Sequence, residues 1–186
     1  GNYIRGAVIA LRDQYELTNG IVGYVESRMP TGGLSSSAAV TVAYLLALQA
    51  VNGLHVSPHQ NIQLVSKTEQ EYIGLKNGIL DQTSILFSQP DSLTRIDCQD
   101  EEISLIDAGS EMDAFDIMIV YSGVGKNLVG AGYNSRVAEC QQAASSLLKI
   151  AGRTTDNPRL RLVAPDLFDA ESHRLDEIPR KRAAHY

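Results

Sequence analysis

The sequence is short of cysteine, of basic charge and of long apolar runs, and each shortage excludes a class of protein. Its 186 residues include two cysteines, Cys98 and Cys140, which form neither a disulfide framework nor a metal-binding pattern and so favour a reducing cytoplasm. The net charge of −6 argues against a nucleic-acid-binding surface. The longest apolar run, residues 38–50, is interrupted by polar side chains and is too short to span a bilayer.

Both ends of the chain look like cuts. The sequence begins with Gly1 rather than Met, without a charged and then apolar leader, and residues 2–11 already show apolar side chains at helical spacing. We therefore expect an internal portion of a longer protein and no secretion signal.

The composition and periodicity predict a packed α+β domain. Hydrophobic residues make up 44% and charged residues 20%, which suits a protein with a buried core. The predicted helices are residues 2–11, 34–51, 57 to about 72, 133–150 and 167–175. The predicted strands are residues 21–29, 93–97, 103–106 and 115–121, of which the last is apolar on both faces and is expected at the centre of a sheet. Residues 79–88 fit a helix or a strand equally well.

A glycine- and serine-rich segment carries the clearest chemical signal. Gly32 and Gly33 allow close approach of the backbone to a ligand, and Ser35, Ser36 and Ser37 follow at the start of a predicted helix. Free N–H groups and the positive end of the helix dipole favour an anion there, so the segment suits a phosphate group. It lacks the lysine of the Walker pattern. The alternative is a glycine turn followed by a helix that the serines cap.

Four segments together resemble one enzyme family. Gly33-Leu34-Ser35-Ser36-Ser37-Ala38-Ala39 is similar to the second conserved motif of the GHMP kinases, in its galactokinase version. Three further segments resemble galactokinase landmarks in the same order: Gly78-Ile79-Leu80-Asp81-Gln82, Tyr133-Asn134-Ser135-Arg136-Val137-Ala138-Glu139-Cys140 and Arg180-Lys181-Arg182-Ala183-Ala184-His185. The resemblance implies part of a two-lobed α+β fold in which mixed sheets pack with helices. Residues 1–115 would belong to the N-terminal lobe and residues 116–186 would begin the C-terminal lobe.

The resemblance also implies a site for ATP and Mg²⁺. The implied ATP-binding residues are Thr31, Gly32, Gly33, Leu34, Ser35, Ser36 and Ser37. Ser37 would also ligate Mg²⁺ together with Glu69, which lies twelve residues before Asp81. One carboxylate and one hydroxyl suffice for Mg²⁺, since this ion keeps several waters and binds ATP oxygens. The alternative for Glu69 is a solvated charge on a polar helix face.

Two further residues acquire roles in sugar chemistry from the resemblance. Asp81 would bind the sugar and act as the catalytic base that accepts or orients the proton of its C1 hydroxyl. The alternative for Asp81 is a helix N-cap or an ion-paired carboxylate. Tyr133 would touch the sugar through its hydroxyl, and the alternative is a tyrosine at the edge of the core.

The implied function is ATP-dependent phosphorylation of the C1 hydroxyl of galactose or galacturonate, by a cytoplasmic enzyme that uses no nucleic-acid or membrane partner. Tyr121-Ser122-Gly123-Val124 departs from the usual galactokinase segment, and together with residues 40–48 and 75–82 it resembles the galacturonokinase branch. Lys126 is a candidate partner for the carboxylate of a uronate substrate. The alternatives are a non-catalytic sensor of sugar and ATP, or a GHMP kinase for another small alcohol. Two of the family's three signature motifs would lie outside the chain, so we expect little activity from it alone.

Overall fold

The computed structural model describes residues 2–27, 33–98, 100–107, 109, 115–121, 123 and 132–185. It divides into two compact units, residues 1–127 and 128–186. Both units contain helices, and the described residues form one small antiparallel sheet, in the first unit. The predicted α+β class is therefore confirmed. Among the described helices, none is long and apolar enough to cross a membrane.

Three helices build the core of the first unit. They are α1 (Asn2–Arg12), α2 (Ser36–Val51) and α3 (Pro58–Lys67), and each packs against the other two. The buried side chains are Ala7, Ala10 and Leu11 of α1, Ala38, Val42, Leu45 and Leu48 of α2, and Leu64 and Val65 of α3. Alanines on α1 let its backbone approach its neighbours closely.

Helix α2 differs from its prediction in two ways. It begins at Ser36 rather than at residue 34, because Ser35 adopts a left-handed backbone with φ of 54°. Apolar side chains almost all round this helix predict burial on most sides, but only one face is covered in the described part of the unit: Leu45 and Leu48 are buried whereas Leu46 is 45% exposed. Hydrophobic composition alone does not determine which faces of a helix find a partner.

Helix α3 passes directly into a π-helical segment, Thr68–Ile73. The helix begins with a capping box, in which Ser57 Oγ accepts from Gln60 N at 3.2 Å and Gln60 Oε1 accepts from Ser57 N at 3.0 Å. Gly74, with φ of 83°, ends the π-helical segment. The predicted helix from Ser57 to about residue 72 is confirmed, although its last turns are wider than an α-helix. Such π-turns occur often at functional sites.

Residues 79–88, which the pattern left open, form the helix α4 (Leu80–Phe87). The strands β1 (Ser92–Asp97) and β2 (Glu102–Asp107) follow and pair as an antiparallel hairpin, with Ser92 opposite Asp107 and Asp97 opposite Glu102. The strand predictions for residues 93–97 and 103–106 are therefore confirmed. Helix α4 packs against α2, α3 and β1.

The strand predictions for residues 21–29 and 115–121 are wrong for their described parts. Residues 21–27 and 115–121 are irregular and mostly exposed, and Met118 is 85% exposed. A strand forms only where a neighbouring backbone offers hydrogen bonds, and no described residue pairs with either segment. Their apolar pattern is typical of a sheet, but among the described residues neither segment has a partner strand.

The second unit contains α5 (Tyr133–Ile150), α6 (Pro165–Glu171) and α7 (Glu177–Ala184). Helix α5 packs against α6 and α7 and buries Ala143, Ala144, Leu147 and Leu148. An ion pair between Arg182 Nε and Glu139 Oε2, at 2.6 Å, links α7 to α5. The prediction for residues 133–150 is confirmed, and the one for residues 167–175 corresponds to α6 followed by a short 3₁₀ turn, Ser172–Arg174.

Candidate active site

The described part of the glycine–serine segment leaves the start of α2 without a side-chain cap. Gly33 has φ of 77°, Leu34 is exposed, and Ser35 occupies the N-cap position but makes no capping hydrogen bond through its side chain. The alternative interpretation of these serines as helix caps is therefore wrong for Ser35. Its left-handed backbone stores about 1 kcal/mol or more of strain, which is common at ligand sites. Thr31 and Gly32 lie outside the described residues.

Ser37 lies in the first turn of α2, where it is half-buried. Its carbonyl oxygen accepts a hydrogen bond from Thr41 Oγ1 at 2.8 Å, and Thr41 is itself buried. This contact anchors the backbone that carries the Ser37 hydroxyl. The first turn of α2 contains no acidic residue, so its N–H groups keep their capacity for an anion.

Glu69 is fully buried on the π-helical segment, with 0% of its surface exposed. Its Oε2 accepts a hydrogen bond from Nδ2 of Asn77, whereas no hydrogen-bond donor among the described residues reaches its Oε1. The alternative of a solvated surface charge is therefore wrong. A buried carboxylate oxygen without a partner is costly, and an arrangement of this kind indicates a missing cation or donor.

Helix α1 packs closely against the π-helical segment that carries Glu69. Gly6 of α1 faces Thr68 and Tyr72, and a Cβ atom placed on Gly6 would lie 2.6 Å from Thr68 Cγ2. Tyr3 lies one turn earlier on α1. Burial, and to a smaller extent the negative charge of Glu69, raise the pKa of the Tyr3 hydroxyl.

Asp81 lies in the first turn of α4 and is half-buried. It is not the N-cap, since that position belongs to Ile79, and the ion pairs of the described residues do not include it. The alternative of a capping or ion-paired aspartate therefore finds no support within the described part of the chain. The carboxylate instead stays available at the start of a helix.

Gln82 fixes the helix turn that carries Asp81. Its Nε2 donates to Ser66 Oγ on α3 at 3.0 Å and to the carbonyl oxygen of Gly78 at 3.1 Å, and the side chain is fully buried. It therefore ties the start of α4 both to α3 and to the loop that follows Glu69. Within the described residues, Gln82 Oε1 and Thr83 Oγ1 have no partner.

The first unit brings together the elements that carry Ser37, Glu69 and Asp81. Helices α2, α3 and α4 pack against one another, and the π-helical segment continues α3. Tyr133 belongs to the second unit, where it is the first residue of α5 and is 39% exposed. Lys126 lies outside the described residues.

Sequence reasoning missed the residues that hold the two carboxylates in place. From the sequence, Asn77 with Gly78 indicates only an interruption of helical structure, and Gln82 is only a position in a motif. Each is polar and lies within four residues of Asp81. Closeness to a candidate residue was the available signal, because a polar side chain that becomes buried needs a partner.

The residues present fit Mg²⁺ as a cofactor. No cluster of three or more His, Cys, Asp or Glu side chains suitable for a metal occurs in the described part of the chain. Mg²⁺ does not require one, since it binds through one or two protein oxygens together with water and phosphate oxygens. Oε1 of buried Glu69, which has no partner among the described residues, would be such an oxygen.

A family match agrees with this arrangement. Residues 2–89, which include Ser37, Glu69 and Asp81, match the family model described as the GHMP kinases N terminal domain. Residues 2–89 form a GHMP kinase N-terminal domain. The resemblance to that family, inferred from short motifs, is therefore confirmed.

Known GHMP kinases resemble the chain over its whole length. A galacturonokinase of Arabidopsis thaliana is 44% identical, covering 100% of this chain and 45% of that protein. A galactokinase of Lactobacillus helveticus is 32% identical, covering 99% of this chain and 47% of that protein. The crystal structure of Lactococcus lactis galactokinase complexed with galactose matches with a TM-score of 0.80 at 29% identity, covering 99% of this chain and 47% of that one. The chain thus spans less than half the length of these relatives.

Proposed function

We propose that the chain is part of an ATP-dependent sugar kinase that phosphorylates the C1 hydroxyl of a galactose-type hexose. The observation that carries the proposal is the buried Glu69 carboxylate, one oxygen of which has no partner among the described residues; it lies on the segment that continues α3, and α4, which presents Asp81, packs against α3. The similarity to galactokinases and a galacturonokinase supports it. The proposed domain organisation assigns residues 1–115 to an N-terminal lobe and residues 116–186 to the beginning of a C-terminal lobe.

In the proposed reaction, the chain binds the triphosphate and orients the acceptor. Residues 31–37 would hold the ATP phosphates, and Ser37 and Glu69 would hold Mg²⁺. The bound ion would neutralise negative charge on the phosphate oxygens. Asp81 would accept the proton of the sugar C1 hydroxyl while that oxygen bonds to the γ-phosphorus, and the bond from the γ-phosphorus to the bridging oxygen of ADP breaks.

We propose galactose or galacturonate as the acceptor, with Tyr133 in contact with the sugar. The higher identity to the galacturonokinase, 44% against 32% for the galactokinase of Lactobacillus helveticus, favours galacturonate. A uronate carries a carboxylate at C6, so a cation or several amides are needed beside it. Lys126 is our candidate for this cation. A cytoplasmic location is part of the proposal, because two widely separated cysteines do not form a disulfide framework.

The decisive experiment compares Asp81→Asn with the parent in the full-length protein that contains this chain. We expect Asp81→Asn to lower kcat by about 10²- to 10⁴-fold, the usual contribution of a general base, while ATP affinity stays unchanged. Asp91→Asn is the matched control, since it makes the same change at an exposed residue of the loop before β1. Full activity of Asp81→Asn would contradict the assignment of Asp81.

A panel of acceptors separates the proposed kinase from its alternatives. ADP release with galactose, galacturonate, mevalonate and homoserine would be measured for the parent protein. Turnover with a hexose supports the proposal, and turnover only with mevalonate or homoserine would replace the sugar by another alcohol. Binding of sugar and ATP without ADP release would identify a sensor.

A further inference from the structure

The loop between the π-helical segment and α4, residues 74–79, is held against that segment by its backbone. Leu75 N donates to the carbonyl oxygen of Glu69 at 2.8 Å, and Asn77 N donates to the carbonyl oxygen of Leu75 at 2.9 Å. Gln70 Nε2 donates to the carbonyl oxygen of Asn77 at 2.8 Å. On the other side, the carbonyl oxygen of Gly78 accepts from Gln82. These hydrogen bonds therefore fix the backbone of residue 77 from both sides, independently of any contact that its side chain makes.

The side chain of Asn77 uses this fixed backbone to reach the Glu69 carboxylate. Its Nδ2 donates to Oε2 of Glu69. The opposite amide orientation would point Oδ1 at a carboxylate oxygen, which repels it, so the carboxylate selects the orientation in which Asn77 donates. This orientation leaves both Asn77 Oδ1 and Glu69 Oε1 buried and, among the described residues, without a donor.

We propose that Asn77 is a positioning residue that holds the Glu69 carboxylate so that Oε1 is presented to the cation of the nucleotide. A glutamate side chain has three rotatable bonds, and a single fixed donor on one oxygen restricts the last of them. Hydrogen bonds that orient a ligating carboxylate commonly contribute a factor of about 10 to 100 to metal affinity. The inference rests on the proposed role of Glu69 as a Mg²⁺ ligand.

The test measures Mn²⁺ binding by electron paramagnetic resonance, in the full-length protein saturated with a non-hydrolysable ATP analogue. We expect Asn77→Ala to weaken Mn²⁺ binding by about 10- to 100-fold, because the carboxylate loses its orienting donor. Gln70→Ala is the matched control. It removes the hydrogen bond to the carbonyl oxygen of Asn77 and so loosens the same loop, but leaves the carboxylate contact in place.

Glu69→Gln separates failure of the inference from failure of the proposed function. If Glu69→Gln weakens Mn²⁺ binding and Asn77→Ala does not, Asn77 is not a positioning residue although Glu69 stays a ligand. If Gln70→Ala weakens binding as much as Asn77→Ala, loop stability explains the effect and the inference is overturned. If Glu69→Gln leaves Mn²⁺ binding unchanged, the proposed metal site is wrong and the role of Asn77 falls with it.

A second variant covers the case in which Asn77→Ala does not fold. Asn77→Ser keeps a small polar side chain that is too short to occupy the position of Nδ2, so the same loss of Mn²⁺ affinity is expected. The thermal midpoint of each variant without nucleotide or metal shows whether it is folded. A folded Asn77→Ser protein with the Mn²⁺ affinity of the parent would overturn the inference.

Discussion

Replacing Glu69 by glutamine tests whether the buried carboxylate serves binding rather than folding. Its side chain is 0% exposed, and within the described part of the chain only one of its two oxygens has a donor. Glutamine has nearly the same shape, carries no charge and can still accept from Asn77 through its amide oxygen. The amide nitrogen of the glutamine would take the place of Oε1, an acceptor without a donor among the described residues. A second buried acceptor, Asn77 Oδ1, lies on the amide group that contacts residue 69.

The expected gain in stability follows from the cost of the unpartnered oxygen. A buried polar group without a partner costs about 1–3 kcal/mol, and a charged one costs more. Without metal or nucleotide, Glu69→Gln should therefore raise the free energy of unfolding by about 1–3 kcal/mol. A ligand at 100 times its Kd stabilises the folded state by about 2.7 kcal/mol. Since glutamine is a poorer Mg²⁺ ligand, the variant should gain less from Mg²⁺ and nucleotide than the parent does.

Thermal unfolding of the full-length parent and variant checks both expectations. In EDTA the variant should melt at the higher temperature, and with Mg²⁺ and a non-hydrolysable ATP analogue this difference should shrink or reverse. Glu71→Gln, an exposed glutamate of the same π-helical segment, is the control for the loss of one negative charge. A variant that melts lower than the parent in EDTA would refute the reasoning, because the carboxylate would then be stabilising the fold itself.

Three further predictions concern the packing around the site and in the second unit. Gly6→Ala should destabilise the protein by about 1–3 kcal/mol, because the added Cβ would lie 2.6 Å from a side chain of the π-helical segment. Gly20→Ala is the control, since a Cβ there meets no atom within 4 Å and should have little effect. The thermal midpoints of the two variants check this prediction. The raised pKa of Tyr3 means that the folded state holds the phenol proton more tightly than the unfolded state, so stability should fall as pH rises above the ordinary value of 10.0, and Tyr3→Phe should lessen that fall in melting curves. The coupling energy between Arg182 and Glu139 should be about 0.5–1 kcal/mol, because their 2.6 Å ion pair is partly exposed. A double-mutant cycle of Arg182→Ala and Glu139→Ala, followed by thermal unfolding, measures it.

Elements whose stability is local were predicted well from the sequence. The helical spacing of residues 2–11 and 133–150 predicted α1 and α5 closely, since one apolar face and good helix formers suffice for such helices. The start of α2 was misplaced by two residues, because nothing in a run of serines tells that Ser35 takes a left-handed backbone. The strand prediction for residues 115–121 was wrong for another reason: a strand needs a partner strand, and the sequence of one strand does not show whether a partner exists.

The candidate site divides in the same way. Asp81 and Ser37 follow from short motifs, because their chemistry requires particular residue types close together in the sequence. The position of Glu69 came from a count along a family motif, and its polar neighbours suggested a solvated helix face. The roles of Asn77 and Gln82 could not be predicted, since both depend on contacts with other elements.

The sequence by itself determined most of the helices, the strands β1 and β2, the GHMP kinase motifs and the residue types of the site, because periodicity and motif spacing are local properties of the chain. Only the tertiary structure decided that Glu69 is buried with one oxygen unpartnered and that Asn77 holds the other. The segment that carries Glu69 packs against helix α1, whose Gly6, more than sixty residues before Glu69 in sequence, faces Thr68 and Tyr72. The free energy of a carboxylate depends on such surroundings, and they exist only after the chain has folded.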